Sequence, residues 1–272
     1  MYLERIVMKV ETGNALSKIK QNSIILTIGN VGKYEKCSTH FGGVPDVPAD
    51  FVWPIYMDDK LEEAYPINFL AQINCENAAK YDTEGLLPER GLLSFFYDAE
   101  GQPWEGMNKD NDCIRVFWFE DIETLVPAEL SDDFDETICY PYLSIGMKSK
   151  SSYPGYEDYS LLKNTYEGNM KVYHEVLNLI SCKKEEEVSK LLGWADVIQA
   201  TMLRDCDRNF FDTKRDDSAI VNEWQLLFQL STIRNKNFEL MFGDCGSIYF
   251  YIRKTDLLNH NFDNVYMQLQ CG

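Results

Sequence analysis

Two short stretches constrain the fold of this chain more than anything else in it. FLAQIN at Phe69–Asn74 and LLFQLS at Leu226–Ser231 are apolar runs, each interrupted by one glutamine at the same place, Gln72 and Gln229. After a loop, each is followed by a glycine and an aromatic run, GLLSFFY from Gly91 and GSIYFYI from Gly246. Each is also preceded by a related loop. FGGVPDVP at 41–48 lies on LLGWADVI at 191–198, matching Gly43 with Gly193 and Asp46 with Asp196. The three motifs recur in the same order, which predicts two copies of one unit at about 40–120 and 190–272. Two copies are too few for a solenoid, which needs at least about three. The expected fold is therefore α+β: two similar, mainly antiparallel β-rich halves, an internal duplication, packed as one globule with a few short helices. Residues 1–272 form a single domain in this reading.

The recurring glutamine needs a physical reason. An amide inside an apolar strand is costly unless it is hydrogen-bonded. The spacing predicts that each amide bridges its strand to the loop at Gly43 or Gly193. The functional alternative places Gln72 and Gln229 on a cleft shared by the halves.

The remaining elements follow from local pattern. Met1–Val10 has a helical spacing, Asn14 is a cap for a short helix, and the β-branched SIILTI at 23–28 is a strand. HFGGVPDVPADFVWP at 40–54 holds two glycines and three prolines, so it is a structured loop pegged down by Phe41, Val44, Phe51 and Trp53. Strands are expected at 67–74, 91–97, 113–119, 223–231, 238–242, 247–253 and 264–271, with a polar loop at 100–112. Residues 129–168 are the least periodic and carry the expected boundary between halves. A helix is expected at Val172–Ser181, an exposed loop at 204–217, and a helix from a Thr255 cap to His260.

The net charge of −18, from 44 acidic against 26 basic residues, argues against binding phosphate backbones, which need Lys and Arg to neutralise them. The expected partners are a basic protein or a small ligand, with neither nucleic acid nor a membrane surface. The eight cysteines are widely spaced with no CxxC, so a zinc ribbon and a thioredoxin-type site are excluded. The charged start MYLERIVMKVE does not read as a signal peptide, and no apolar run reaches 18 residues. A cytoplasmic location with free thiols is the expectation.

Motifs that carry chemistry are sparse. GxSxG, the P-loop and GxGxxG are absent. Asp110-Asn111-Asp112 is not a calcium loop, because Arg115 stands where glycine is required. Asp132, Asp133, Asp135 and Glu136 read as a solvated loop. His40, His174 and His260 lack metal-ligand spacing; no metal and no cofactor are expected. His40 stands out because it borders the glycine-rich loop. Asp244, in GDCG between two strands, is a turn residue first and a base or ligand second. Cys245 and Cys271 come near each other if the last strands pair, but no histidine beside them activates either.

Together, HFGGVPDVPADFVWP, INFLAQIN, LPERGLLSFF, LLGWADVIQ, FGDCGSIYFYIRKTDL and the final QCG resemble the YwqG-type family of bacterial proteins of uncharacterised function. The resemblance runs from about residue 40 to 272. It implies a cytosolic α+β protein with the duplication argued above, and no accepted reaction, substrate or cofactor. Family members often carry a basic residue at the position of His40 and a histidine at the position of Ser189. Chemistry that used the latter histidine is not available to this chain. The leading expectation is a binding protein that engages a protein or small ligand at a cleft between halves, such as an antagonist of a basic effector. The alternative is a hydrolase-like enzyme with a site around Asp244 and the glycine-rich loop at His40. The candidate site residues are Gln72, Gln229, Asp244 and His40.

Overall fold

The computed structural model describes residues 14, 17–58, 62–131, 134, 138–165, 175, 188–236 and 238–272. Its strands are β1 Gln21–Val31, β2 His40–Phe41, β3 Asp46–Val47, β4 Ile55–Asp58, β5 Glu63–Pro66, β6 Asn68–Asn74, β7 Leu92–Tyr97, β8 Glu105–Met107 and β9 Ile114–Phe119. They continue as β10 Val126–Pro127, β11 Leu143–Ser152, β12 Ser189–Leu191, β13 Trp224–Ser231, β14 Ile233–Arg234, β15 Glu239–Leu240, β16 Ser247–Arg253 and β17 Tyr266–Gln270. The short helices are α1 Cys75–Ala79, α2 Tyr156–Tyr159, α3 Leu203–Phe210, α4 Asp217–Glu223 and α5 Lys254–Leu258. None is long and apolar enough to cross a membrane.

Eleven strands form one sheet in the order β8-β17-β16-β13-β12-β1-β11-β2-β6-β7-β9. Its ladders are antiparallel, as short connections favour. Outward from the central β1–β11 pair, a two- or three-residue strand comes first on each side, β12 or β2. A glutamine strand, β13 or β6, then an aromatic strand, β16 or β7, follow. Both glutamine–aromatic ladders shift register near the middle, at Phe69/Ala71 and at Leu226/Phe228.

The two ends of the sheet, β8 and β9, are neighbours in the chain, and Asn108 between them almost closes the sheet into a barrel. Its backbone N–H donates to Val265 O at 2.8 Å. Its side chain exchanges two bonds with the Val116 backbone, at 2.9 and 3.0 Å, and donates to Phe262 O at 2.7 Å. The interior is filled. Phe95 of β7 packs on Phe228 of β13 with ring centroids 4.6 Å apart and on Phe250 of β16 at 5.4 Å. Each such buried ring contributes roughly 2–3 kcal/mol.

The outer faces of the sheet are covered too, which explains why β6, β7 and β13 are buried along their whole length. On one side Phe51 and Trp53 of the glycine- and proline-rich loop pack on Phe96 and Phe117. On the other, residues of α2, α3 and α4 form a second core with Trp224, Leu226, Tyr249, Tyr251 and Tyr266.

The structure corrects four expectations. The loop expected at 100–112 contains β8, which pairs with β17. The irregular stretch 129–168 contains β11, a ten-residue strand whose main partner is β1. It was hidden because LSIGMKSKSS buries only Leu143 fully. The exposed loop expected at 204–217 is largely helix α3, with Leu203, Cys206 and Asp207 turned inward at helical spacing. Asp207 is buried because it accepts from the Trp224 indole at 3.2 Å and pairs with Arg215 at 3.1 Å. Finally, α5 begins at Lys254 with Arg253 as its cap, so Thr255 lies inside it. The expected helix at Met1–Val10, that at Val172–Ser181 apart from Glu175, and all four carboxylates expected in the solvated acidic loop lie outside the described residues.

Candidate functional site

The candidate residues fall in three places. Gln72 is fully buried on β6. Its carbonyl accepts from Asp46 N at 2.9 Å, and its amide donates to Ser38 O at 2.9 Å and Asp46 Oδ2 at 2.7 Å. Gln229 on β13 is bonded in the same way. It accepts from Asp196 N at 3.0 Å and donates to Val188 O at 2.8 Å and Asp196 Oδ2 at 3.2 Å. Each amide thus clamps its strand to the loop that begins at the glycine pair or its counterpart. Both loops turn through left-handed backbone: Gly42 and Gly43 at φ 58° and 68°, Leu192 and Gly193 at φ 58° and 73°. A side chain at Gly42 would also run into the Tyr140 and Pro141 carbonyls.

The clamps differ in charge. His40 faces Gln72 across the β2–β6 ladder, and Lys190 faces Gln229 across β12–β13. Lys190 is buried and pairs with Asp196 at 2.6 Å. Asp46, wholly buried, is held instead by the Tyr34 hydroxyl at 2.5 Å and the Cys37 N–H at 2.8 Å. His40 Nδ1 lies 2.7 Å from Gly42 O. A carbonyl only accepts, so Nδ1 carries the proton and Nε2 is the bare nitrogen. Burial lowers the His40 pKa, so the ring is neutral at pH 7. Nε2 itself is buried without a partner.

Asp244 is elsewhere. It sits exposed in the turn before β16, and four strands separate β16 from the β2 strand of His40. A joint acid–base role for the two has no geometric basis. The buried thiols are not activated either. Burial, then Asp46, pushes Cys37 up to about 11, and burial pushes Cys75 and Cys139 up to about 12. Among the described residues no cluster of His, Cys, Asp or Glu could hold a metal ion.

A third place was not singled out from the sequence. Between α2, α3 and the outer face of β13 and β16 lies a cavity of about 10 Å³, enough for one water-sized group. Gln21, Asp158, Trp194, Leu203, Trp224 and Tyr251 line it. Of these, Gln21 alone is not fully buried, so it marks the mouth. Asp158 is 1% exposed, and burial pushes its carboxyl up to about 6 against the pull of Thr201 and Lys190. Asp158 Oδ1 and the Tyr251 hydroxyl are buried with no hydrogen-bond partner. Two such groups beside one cavity call for an occupant, because an unpaired buried polar atom costs about 1–3 kcal/mol. The available signal in the sequence was an acid set between aromatic and apolar residues in YEDYSLL.

None of the curated proteins matches the chain. A family model does, over residues 39–271, a span that holds Asp46, Gln72, Asp196, Gln229, Asp158 and the rest of the cavity except Gln21. On that match the chain belongs to the family described as a domain of unknown function, DUF1963.

Proposed function

We propose that this is a cytoplasmic binding protein whose ligand site is the cavity beneath α2, on one half of the molecule rather than in a cleft between the two. The observation that carries this reading is the pair of unpartnered polar atoms, Asp158 Oδ1 and Tyr251 Oη, on residues that line a space walled by Trp194 and Trp224. A few convergent polar groups in an otherwise apolar pocket are the usual composition of a ligand site. The matching bonds of Gln72 and Gln229 and the mirrored strand order support an internal duplication. They also assign the glutamines to scaffold, since every polar atom of each amide group is bonded within the chain. The YwqG-type motifs fall almost entirely inside the family match, which supports placing the chain with those bacterial proteins. The excess of negative charge favours a basic partner over nucleic acid or an anionic membrane.

The test is ¹⁹F NMR on protein labelled with 5-fluorotryptophan, whose five signals are assigned by single Trp→Phe variants. Three probe sets are titrated: small primary amines, small carboxylic acids and small neutral amides. Saturable movement of the Trp194 and Trp224 signals with any one set supports the site. Silence of both signals with all three sets removes it.

A further inference from the structure

The donors and acceptors that line the cavity are unbalanced. Three N–H groups of its tryptophans are spent elsewhere. Trp194 N donates to Ser152 Oγ at 3.0 Å, the Trp194 indole to Ile19 O at 2.7 Å, and the Trp224 indole to Asp207 Oδ1 at 3.2 Å. What remains for a guest is the Asp158 carboxylate oxygen, with the Thr201 hydroxyl beside it, and the Tyr251 hydroxyl. Burial and then the Asp158 charge push the Tyr251 hydroxyl well up from its ordinary value. With these N–H groups engaged, the indoles offer a guest no free donor. The carboxylate oxygen only accepts and the phenol accepts as well as donates, so a small, donor-rich guest that carries positive charge suits this lining. Water donates two bonds but brings no charge to the carboxylate. An ammonium head is of nearly the same size and brings three donors and the charge.

Building on the binding reading above, we propose that the cavity takes a primary ammonium group, with the nitrogen between Asp158 Oδ1 and Tyr251 Oη and its carbon chain leaving past Gln21. The charges around Asp158 are compatible with this. Glu157 precedes it in the chain, and Lys190 is near but already engaged by Asp196. Tyr249, Tyr251 and Cys206, on the elements packed against it, are all held neutral by burial. The overall charge of −18 adds a long-range field of the same sense. A free small amine and a lysine side chain of a basic protein share this chemistry.

The proposal is tested with methylammonium chloride, titrated into the whole protein against sodium chloride at equal ionic strength and read by the Trp194 and Trp224 ¹⁹F signals. Saturable shifts are expected with methylammonium alone. Asp158→Asn should weaken them about tenfold or more, as loss of a charge-assisted bond implies, and Tyr251→Phe by less. The affinity should fall as pH drops through about 6, where Asp158 takes up its proton. Far-UV circular dichroism and urea unfolding confirm that each variant is folded before its titration counts. A lysine peptide and its Nε-acetylated form separate the two sources. Discrimination between them points to a protein partner, and binding of methylammonium without the peptide points to a free amine. The proposal is overturned if the shifts do not saturate, if Asp158→Asn leaves them unchanged, or if crystals grown in methylammonium hold one ordered water only. If acids or amides bind and amines do not, the cavity remains a site and the ammonium assignment is lost; if nothing binds, both are lost.

Discussion

Replacing Asp158 by asparagine should stabilise the protein, and by an amount that depends on pH. The carboxyl is 1% exposed, and burial raises it from an ordinary 3.8 to about 6. A raised carboxyl is ionised more readily in the unfolded chain than in the folded one. Stability from this group is therefore whole below pH 3.8 and is lost as pH rises through about 6. A shift of roughly two units corresponds to about 3 kcal/mol at pH 8, at about 1.4 kcal/mol per unit. At pH 5 the same linkage gives only about 1.6 kcal/mol, because the unfolded state is mostly ionised and the folded state is not. Asparagine keeps the shape and has no proton to lose, so its stability relative to the parent should grow by about 1.4 kcal/mol between pH 5 and pH 8. The amide has its own burial cost, which moves both values equally, so the change with pH is the decisive quantity. Urea unfolding at the two pH values, followed by tryptophan fluorescence and far-UV circular dichroism with coincident transitions, measures it. A gap that stays constant, or narrows toward pH 8, would refute the claim that Asp158 is a desolvated acid.

Two further outcomes follow from the scaffold. Gln72→Leu strips bonds from Asp46 N, Ser38 O and a wholly buried carboxylate, and should cost about 3–5 kcal/mol. Gln229→Leu should cost less, about 1–3 kcal/mol, because Lys190 still holds Asp196, whose side chain is 54% exposed; equal losses in urea unfolding would contradict this ordering. Asn108→Ala removes the three side-chain bonds that draw β9 toward β17. Hydrogen exchange at the Val116 amide should then accelerate by at least about tenfold while amides of β13 keep their protection, and uniform acceleration would show that Asn108 does not act locally.

The parts of the fold legible in the sequence are those where one residue's need is local and strong. A glutamine in an apolar strand must find partners, and both glutamines find them in the loops that the glycines begin. β7 and β16 were legible because aromatic runs after a glycine suit a strand buried on both faces. β11 was not, since a polar strand held by its β1 ladder leaves little apolar pattern. α3 was missed because its charges dominate, although Leu203, Cys206 and Asp207 share one face. Asp158 shows the limit most clearly. Its burial depends on Trp194, Leu203, Trp224 and Tyr251, each more than 30 residues away. No pattern near YEDYSLL states that those residues will close over it.

The two sides of the sheet differ in a way that motivates the proposed site. Both halves carry the clamp of acid, glutamine and left-handed turn, so the clamp cannot distinguish a site from a scaffold. The halves differ in what covers them. Over β6 and β7 the cover is aromatic and its polar atom is satisfied, with the Trp53 indole donating to Ile67 O at 2.9 Å. Over β13 and β16 the cover brings in a carboxylate and leaves it, with Tyr251, short of partners. A leucine or asparagine at 158 would give the fold more stability than the acid does. Retaining an acid there carries a cost in stability at neutral pH. A desolvated acid beside an aromatic-walled cavity fits a residue kept for what it binds, and the methylammonium and Asp158→Asn measurements are the pair that separates that role from an accident of packing.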